Sequence, residues 1–533
     1  MRKFFSYGPP NTKTHYYAPR EALIANALEQ LKGDEPEEGG HYITVWAPRQ
    51  TGKTSIMQEV FSRLKQESQF DVVILSLQFL YEVTDVNRVA QLFARKLLKQ
   101  LNLEKAITID TLDDFERLFE RGTLNKPLIL ILDEFDALEE VAITRLVAIF
   151  RHIYNTRRNQ ADKPTAEKDY LLHSLALIGV RAVLGVENVK GSPFNVQRSV
   201  HIPNLTHDEV TYLFSWYQQE SGQSIQPEAI ERILYEFQGQ PGLTCWFGEL
   251  LTETYNQTTA QPITMVNFEE AYVAALDLLP NNHILNLISK ARQEPYKQFI
   301  LEQFQTKKKL KFTYHDPIIN FLYMNGIIDV EKVTVTENYL KFSCPYIQKQ
   351  LFNYFSRELF AEMDGLYDPF EDLSDTITDE SLSLRRLLQR YEQYLQANRQ
   401  IVLKNAPRRQ KDLRVYEVVF QFHLYSYLES FLQSYDAQVQ PEFPTGNGAI
   451  DLLIRHAGKL FGLELKSFAN QREYQKALTQ AAKYGKQLGL TEIGLALFIE
   501  TVDETNRQKF EKDYTYPKTG VTVQPQFVQT GKS

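Results

Sequence analysis

The stretch Ala47-Pro48-Arg49-Gln50-Thr51-Gly52-Lys53-Thr54 constrains this chain more than any other. It follows an apolar run, Tyr42-Ile43-Thr44-Val45-Trp46, and leads into a helical pattern that begins Ser55-Ile56-Met57. Strand, tight loop and helix N-terminus in that order form a phosphate cradle, because backbone N–H groups and the positive end of the helix dipole converge on an anion. Arg49, Gln50, Thr51, Gly52, Lys53, Thr54 and Ser55 are therefore the candidate nucleotide-binding residues. Lys53 can reach the β- and γ-phosphates, and the Thr54 hydroxyl can ligate Mg²⁺. Ala47 stands where the usual G-x-x-x-x-G-K-[ST] pattern has its first glycine, and a Cβ makes a positive φ there less comfortable.

Such a loop requires an acidic partner at another strand end. The run Leu128-Ile129-Leu130-Ile131-Leu132 closes on Asp133-Glu134. Asp133 is expected to hold the Mg²⁺, and Glu134 to orient and polarise the attacking water. Further apolar runs at 71–77 and 175–180, separated by helical periodicity, predict a parallel sheet covered on both faces over residues 1–205. From 206 to 282 the pattern is helical, with Asn204 or Thr206 as N-cap and Gly239-Gln240-Pro241-Gly242 as a break. Residues 283–360 give two helical stretches, then Asn325-Gly326 and β-prone runs at 327–330 and 332–335, which predict a small β-wing and a winged-helix module. The acidic segment 364–380 reads as a solvated linker, followed by a helix near 381–400, and a last domain begins near 401.

The bulk numbers agree with several domains. The chain has 533 residues, too many for one core. The net charge is −8, but from residue 401 onward 17 lysines and arginines stand against 14 acids, leaving 42 against 53 before it. A basic C-terminal third on an acidic body permits local contact with a polyanion. Cys245 and Cys344 are the only cysteines and form no C-x-x-C pair, which fits a reducing compartment. The N-terminus has no apolar leader and no run reaches the roughly 20 residues that span a bilayer, so a cytoplasmic location and no membrane partner are expected.

Several segments resemble bacterial AAA-like P-loop ATPases. Tyr16-Tyr17-Ala18-Pro19-Arg20-Glu21-Ala22-Leu23 looks like the family's opening segment, in which an aromatic–x–x–Arg–Glu stretch lies beside the adenine. Ser192-Pro193-Phe194-Asn195-Val196, Ile202-Pro203-Asn204-Leu205-Thr206 with Glu209-Val210, and Gly239-Gln240-Pro241 are also similar to it. The resemblance covers roughly residues 3–360 and implies an AAA+-type ATPase with helical lid and winged helix, using ATP and Mg²⁺ and able to form homo-oligomers. Its arginine finger or sensor is left open among Arg181, Arg157, Arg158 and Arg198. The basic run Lys307-Lys308-Lys309-Leu310-Lys311 could touch a nucleic-acid backbone or simply end a solvated helix.

A second constellation lies in the C-terminal domain. Residues 446–455 read as a strand with Asp451 near its start, His456-Ala457-Gly458-Lys459 as a turn, and 460–466 as the returning strand. Period-two alternation puts Glu464 and Lys466 on one face, and the hairpin brings Asp451 beside Glu464. Two carboxylates that can share one or two Mg²⁺, with a lysine to position water, suit metal-dependent phosphodiester cleavage. With "GAIDLLI" and "LFGLELKSF" as its core, the segment resembles the PD-(D/E)xK nuclease superfamily. That resemblance adds Glu417, with Glu442 as the alternative extra acid, and Gln480 and Tyr484 in Gln-x-x-x-Tyr spacing.

The expected fold class is therefore α/β: a P-loop parallel sheet with helical lid and winged helix, followed by a small α/β restriction-endonuclease-like domain. The expected function is an ATPase that regulates a Mg²⁺-dependent DNA nuclease. Fold-level analogy links such architectures to bacterial mobile-element and antiviral defence proteins. The alternative is an ATP-dependent signalling switch that oligomerises on sensing a partner, with the C-terminal domain as effector or DNA-binding module.

Overall fold

Five strands build the sheet around the phosphate loop: β1 (Tyr42–Trp46), β2 (Asp71–Ser76), β3 (Leu128–Asp133), β4 (Leu172–Ile178) and β5 (Gln197–His201). The structure is a computed structural model. It describes the chain apart from residues 35–38, 105, 180–196, 306–309, 335–336, 361–362, 364–365, 367–370, 405, 407–416, 436, 444–450, 469 and 532–533. Arg181, Ser192–Val196, Lys307–Lys309 and the Gly446–Ile450 stretch lie outside the described residues.

The described chain divides into two units, Met1–His283 with Thr313–Gly326, and Ile284–Phe312 with Ile327–Ser533. In the first, the strands are all parallel in the order β2-β3-β4-β1-β5. Strand β3 is buried along its whole length, which is why it reads as an unbroken apolar run. Helices α1 (Glu21–Lys32), α2 (Lys53–Leu64), α3 (Val86–Leu101) and α4 (Glu140–Arg158) cover the sheet, with one apolar cluster on each face. The lid follows as α5 (His207–Ser221), α6 (Pro227–Phe237), α7 (Pro241–Glu249) and α8 (Met265–Asp277). Thr206 is the N-cap of α5 in a full capping box with Glu209, and Gly239, at φ +65°, lets the chain turn into α7.

In the second unit, α9 (Asn282–Ala291) is shared in part, and α10 (Tyr296–Gln305) precedes the segment of α11 (Pro317–Met324), which belongs to the first unit. Strands β6 (Ile328–Lys332) and β7 (Asn338–Phe342) then pair antiparallel. The second β-prone run expected at 332–335 does not begin a strand of its own: Lys332 ends β6, Val333 and Thr334 bend, Val335 lies outside the described residues, and β7 starts at Asn338. Helix α12 (Pro345–Leu359) follows. The acidic segment is not wholly solvated as expected. Leu373, Thr376 and Ile377 are buried, and Ile377–Thr378 and Ser381–Leu382 form a short hairpin, β8 and β9. The Arg390 guanidinium explains this by gathering Glu371, Asp375 and the Thr376 hydroxyl.

The rest is α13 (Leu384–Val402), α14 (Glu417–Leu432), β10 (Gln438–Glu442), β11 (Asp451–His456), β12 (Lys459–Ser467), α15 (Gln471–Gln487), β13 (Glu492–Ile499), α16 (Glu504–Phe510), β14 (Tyr514–Thr515) and β15 (Thr522–Gln529). Its six strands run in the order β10-β11-β12-β13-β15-β14. The first three form an antiparallel meander, and β12, β13 and β15 are parallel. Among the described residues no helix is long and apolar enough to cross a membrane.

Candidate functional sites

The phosphate loop turns on two left-handed residues, Gln50 (φ +58°) and Gly52 (φ +88°). Ala47 has no positive φ and lies buried in the sheet–helix core, so the missing glycine is absorbed without strain. Gly52 caps α2, and a Cβ added there would meet nothing within 4 Å, an open face that suits close approach of a phosphate. The Lys53 ammonium turns back onto the loop, donating to the carbonyls of Ala47 at 2.8 Å and Pro48 at 2.7 Å. Burial pushes its pKa down to about 8, with Asp136 and Asp133 opposing the shift. Thr51, buried, braces the loop by donating to the Pro48 carbonyl.

Strand β3 delivers the partner acids. The Thr54 hydroxyl donates to Asp133 Oδ2 at 2.7 Å, and the Glu134 N–H donates to Oδ1 at 2.9 Å. Burial raises the Asp133 carboxyl above its usual range. Thr54 and Asp133, already in contact, offer the hard oxygen donors that would hold a Mg²⁺. Glu134 sits in the left-handed region (φ +56°) and accepts a 2.6 Å hydrogen bond from Ser76, which ends β2 opposite Asp133.

The lid and the N-terminal segment close the site. Gln240 donates to the Arg49 carbonyl at 3.1 Å, and the Gly242 N–H donates to the Gln50 carbonyl at 3.0 Å. A Cβ at Gly242 would come within 2.5 Å of the Gln50 side chain, so glycine permits the approach. Arg20, buried, donates to Glu209 and to the carbonyls of Pro203 and Asn204. A cavity of about 290 Å³ opens beside the loop, lined by Phe5–Pro10, Tyr16–Ala18, Gln50–Ile56 and lid residues that include Leu213, Pro241 and Cys245. An apolar recess beside a phosphate loop has the size and character of a small-ligand pocket. Helix α11 also backs the loop: Tyr323 packs on Trp46, and a Cβ at Gly326 would meet Pro48 at 2.8 Å.

In the second unit, strand register brings acids into a row. Glu442 of β10 stands opposite Asp451 of β11, and Asp451 opposite Glu464 of β12. Directly opposed residues share a face of the sheet. Lys466 Nζ lies 2.8 Å from Glu464 Oε1, and Lys349 of α12 donates to Glu442 Oε1 at 2.8 Å. Burial, then the neighbouring Glu464, holds the Asp451 carboxyl well above the usual carboxylate range. Asp451 Oδ1 is buried with no hydrogen-bond partner among the described residues, and a hard carboxylate oxygen of this kind could ligate a cation such as Mg²⁺. No three His, Cys, Asp or Glu side chains among the described residues are arranged to hold a metal.

The comparisons with known proteins follow the first of these two geometries. Residues 5–259 match the family model of the AAA-like domain. This segment is an AAA-like P-loop ATPase domain. No curated protein matches the chain. Among solved structures, a Walker-type ATPase of Pyrococcus abyssi is 14% identical with a TM-score of 0.42, over 63% of this chain and 96% of that one. Orc1 of Aeropyrum pernix, solved in complex with DNA, is 15% identical with a TM-score of 0.33, over 63% and 92%. The RuvB Holliday junction branch migration motor of Thermotoga maritima is 11% identical with a TM-score of 0.33, over 60% and 91%.

Within the AAA-like domain, the expected residues Thr51 to Thr54, Asp133 and Glu134 come together, while Arg49 and Gln50 are exposed at the loop's tip. Of the arginine candidates, Arg157 is buried and donates to the Tyr170 carbonyl, and Arg198 bonds Gln30 and pairs with Asp34. In the second unit Asp451, Glu464 and Lys466 come together as expected. Glu417 opens α14, and its side chain lies outside the described residues. Gln480 is exposed, and Tyr484 is half-buried against the apolar cluster of α15 and the sheet. Sequence reasoning missed Ser76, Gln240 and Lys349. A polar residue near the end of the apolar run 71–77 was the available signal for Ser76; Lys349 gave none.

Proposed function

We propose that this chain is an ATP-regulated, Mg²⁺-dependent DNA nuclease, in which the AAA-like domain binds and hydrolyses ATP and thereby controls a phosphodiesterase site at Asp451, Glu464 and Lys466. The observation that carries the reading is the buried row of acids with its two lysines. A fold gains nothing from burying such charges beside one another, and apolar residues of similar volume would be at least as stable. The order of elements around it, α14-β10-β11-β12-α15-β13, agrees with a nuclease-like domain over residues 401–533.

Each residue then has a role. Lys53 leaves its carbonyl partners for the phosphates of ATP, Thr54 and Asp133 hold the cation, and Glu134 orients water once Ser76 releases it. In the second site Asp451 and Glu464 hold the metal, and Lys466 keeps a water or phosphate oxygen in place. Bound Mg²⁺ would supply charge stabilisation at the attacked phosphate. Residues 206–282 act as lid, 283–360 as a winged-helix-like element and 361–400 as connector. The basic C-terminal third meets DNA, and ATP-dependent homo-oligomers are part of the reading.

The test is incubation of the full chain with single- and double-stranded DNA while ATP and Mg²⁺ are varied independently. Asp451→Ala is expected to abolish cleavage and leave ATP turnover intact. Lys53→Ala should lower turnover about 10²–10³-fold, as loss of a phosphate-stabilising charge does. Cleavage that persists in Asp451→Ala would sink the site assignment.

A further inference from the structure

Lys349 lies on α12, about a hundred positions from the acids in sequence, yet its side chain is 1% exposed and its ammonium bonds Glu442 at 2.8 Å. Lys466 holds Glu464 at the other end of the row. Between them Asp451, 2% exposed, keeps its Oδ1 without a hydrogen-bond partner among the described residues. Each outer carboxylate of the row thus already has an ammonium beside it, and no cluster of three metal-holding side chains is found among the described residues. A buried carboxylate oxygen with no donor is costly, and a divalent cation is the ligand that removes this cost for several carboxylates at once.

The seat of α12 supports an exchangeable lysine. This helix packs on α14 and β10. Gln348, Asn353 and Ser356 are buried on it, each with a side-chain polar atom that has no partner among the described residues. A seam of buried polar atoms without protein partners holds a helix less firmly than an apolar contact of equal area.

We propose that Lys349 is an internal counter-ion that stands in for a divalent cation: it neutralises Glu442 at the end of the row, and metal loading at Asp451 and Glu464 displaces its ammonium and loosens α12. The proposal rests on the reading of this row as the nuclease metal site. Mn²⁺ is titrated calorimetrically into the full, nucleotide-free chain carrying Asp133→Asn, which removes the cation ligand of the phosphate loop.

Adding Lys349→Met is expected to tighten Mn²⁺ binding by at least about tenfold, because a like charge has left the site, and Asp451→Asn should eliminate that binding. A second readout needs no substitution in the row: amide exchange of residues 345–359 should rise when Mn²⁺ is added. Unchanged or weaker binding in Lys349→Met, or unchanged exchange of α12, with Asp451→Asn still removing the cation, overturns the counter-ion and leaves the metal site standing. Mn²⁺ binding indifferent to Asp451→Asn in every background, or absent from all of them, overturns the metal site and the counter-ion together.

Discussion

Lys53 in the AAA-like domain rests its ammonium on two backbone carbonyls, whereas Lys349 and Lys466 in the second unit each rest theirs on a carboxylate. The first arrangement leaves a cation short of negative charge, with Asp136 and Asp133 offsetting its burial only in part. It is poised to accept an anion. The second arrangement neutralises its lysines and leaves a carboxylate oxygen at the centre without a partner among the described residues. In the proposed reading it would accept a cation. Both sites place lysines beside acids, half-buried at Lys53 and buried at Lys349 and Lys466, and they differ in the lysine's direct partner.

The comparison breaks most sharply on stability. Lys349→Met removes the ammonium paired with the buried Glu442 carboxylate and should destabilise the second unit by about 3–5 kcal/mol, as loss of one partner of a buried pair does. Lys53→Met strands only carbonyls, and the AAA-like domain should keep or slightly raise its melting temperature. Denaturant titration of both variants measures the difference, and equal losses would contradict it.

A pH experiment sharpens the anion side. Free Lys53 titrates at about 8, and a bound phosphate restores its higher value by favouring the charged form. ATP binding near pH 8.5 should therefore take up about half a proton or more, and ATP affinity should fall as pH rises above about 8. Without ATP the sign is the usual one for a lysine whose pKa is lowered on folding. Its burial penalty is fully present below pH about 8 and fades as pH rises toward the unfolded value near 10.4. Calorimetry in two buffers of different ionisation enthalpy reads the uptake, and Lys53→Met should abolish it.

The smallest effect concerns Glu134. Ser76→Ala removes the 2.6 Å hydrogen bond that holds its carboxylate, and basal ATP turnover should change by about tenfold or less, the worth of one hydrogen bond to a charged group. Steady-state ATPase rates decide it, and a change beyond a hundredfold would mean that Ser76 does more than hold the resting carboxylate.

Residues close in sequence carried most of what could be read in advance. The loop 47–54, the strand ending at Asp133-Glu134 and the hairpin joining Asp451 to Glu464 are local patterns, where strand periodicity and turn chemistry act over a few residues. Thr206 and Gly239 were legible for the same reason, since caps and breaks are local. Strand β5 escaped because Gln197-Arg198-Ser199 reads as polar surface; pairing with β1 makes it a strand. The misplaced second strand of the β6–β7 hairpin shows the same limit, because Val333 and Thr334 have β propensity but register decided against them.

By itself, then, the amino-acid sequence determined that this chain has a phosphate loop with its acidic partner, and a two-acid, one-lysine hairpin. Both depend on residue type at fixed short spacing. Only the tertiary structure decided where the buried charges find their partners: Lys53 on carbonyls, Ser76 on Glu134, and Lys349 on Glu442 at a separation of 93 residues. Burial sets the energy of a charge, and burial is a property of how distant segments pack, which no local pattern encodes.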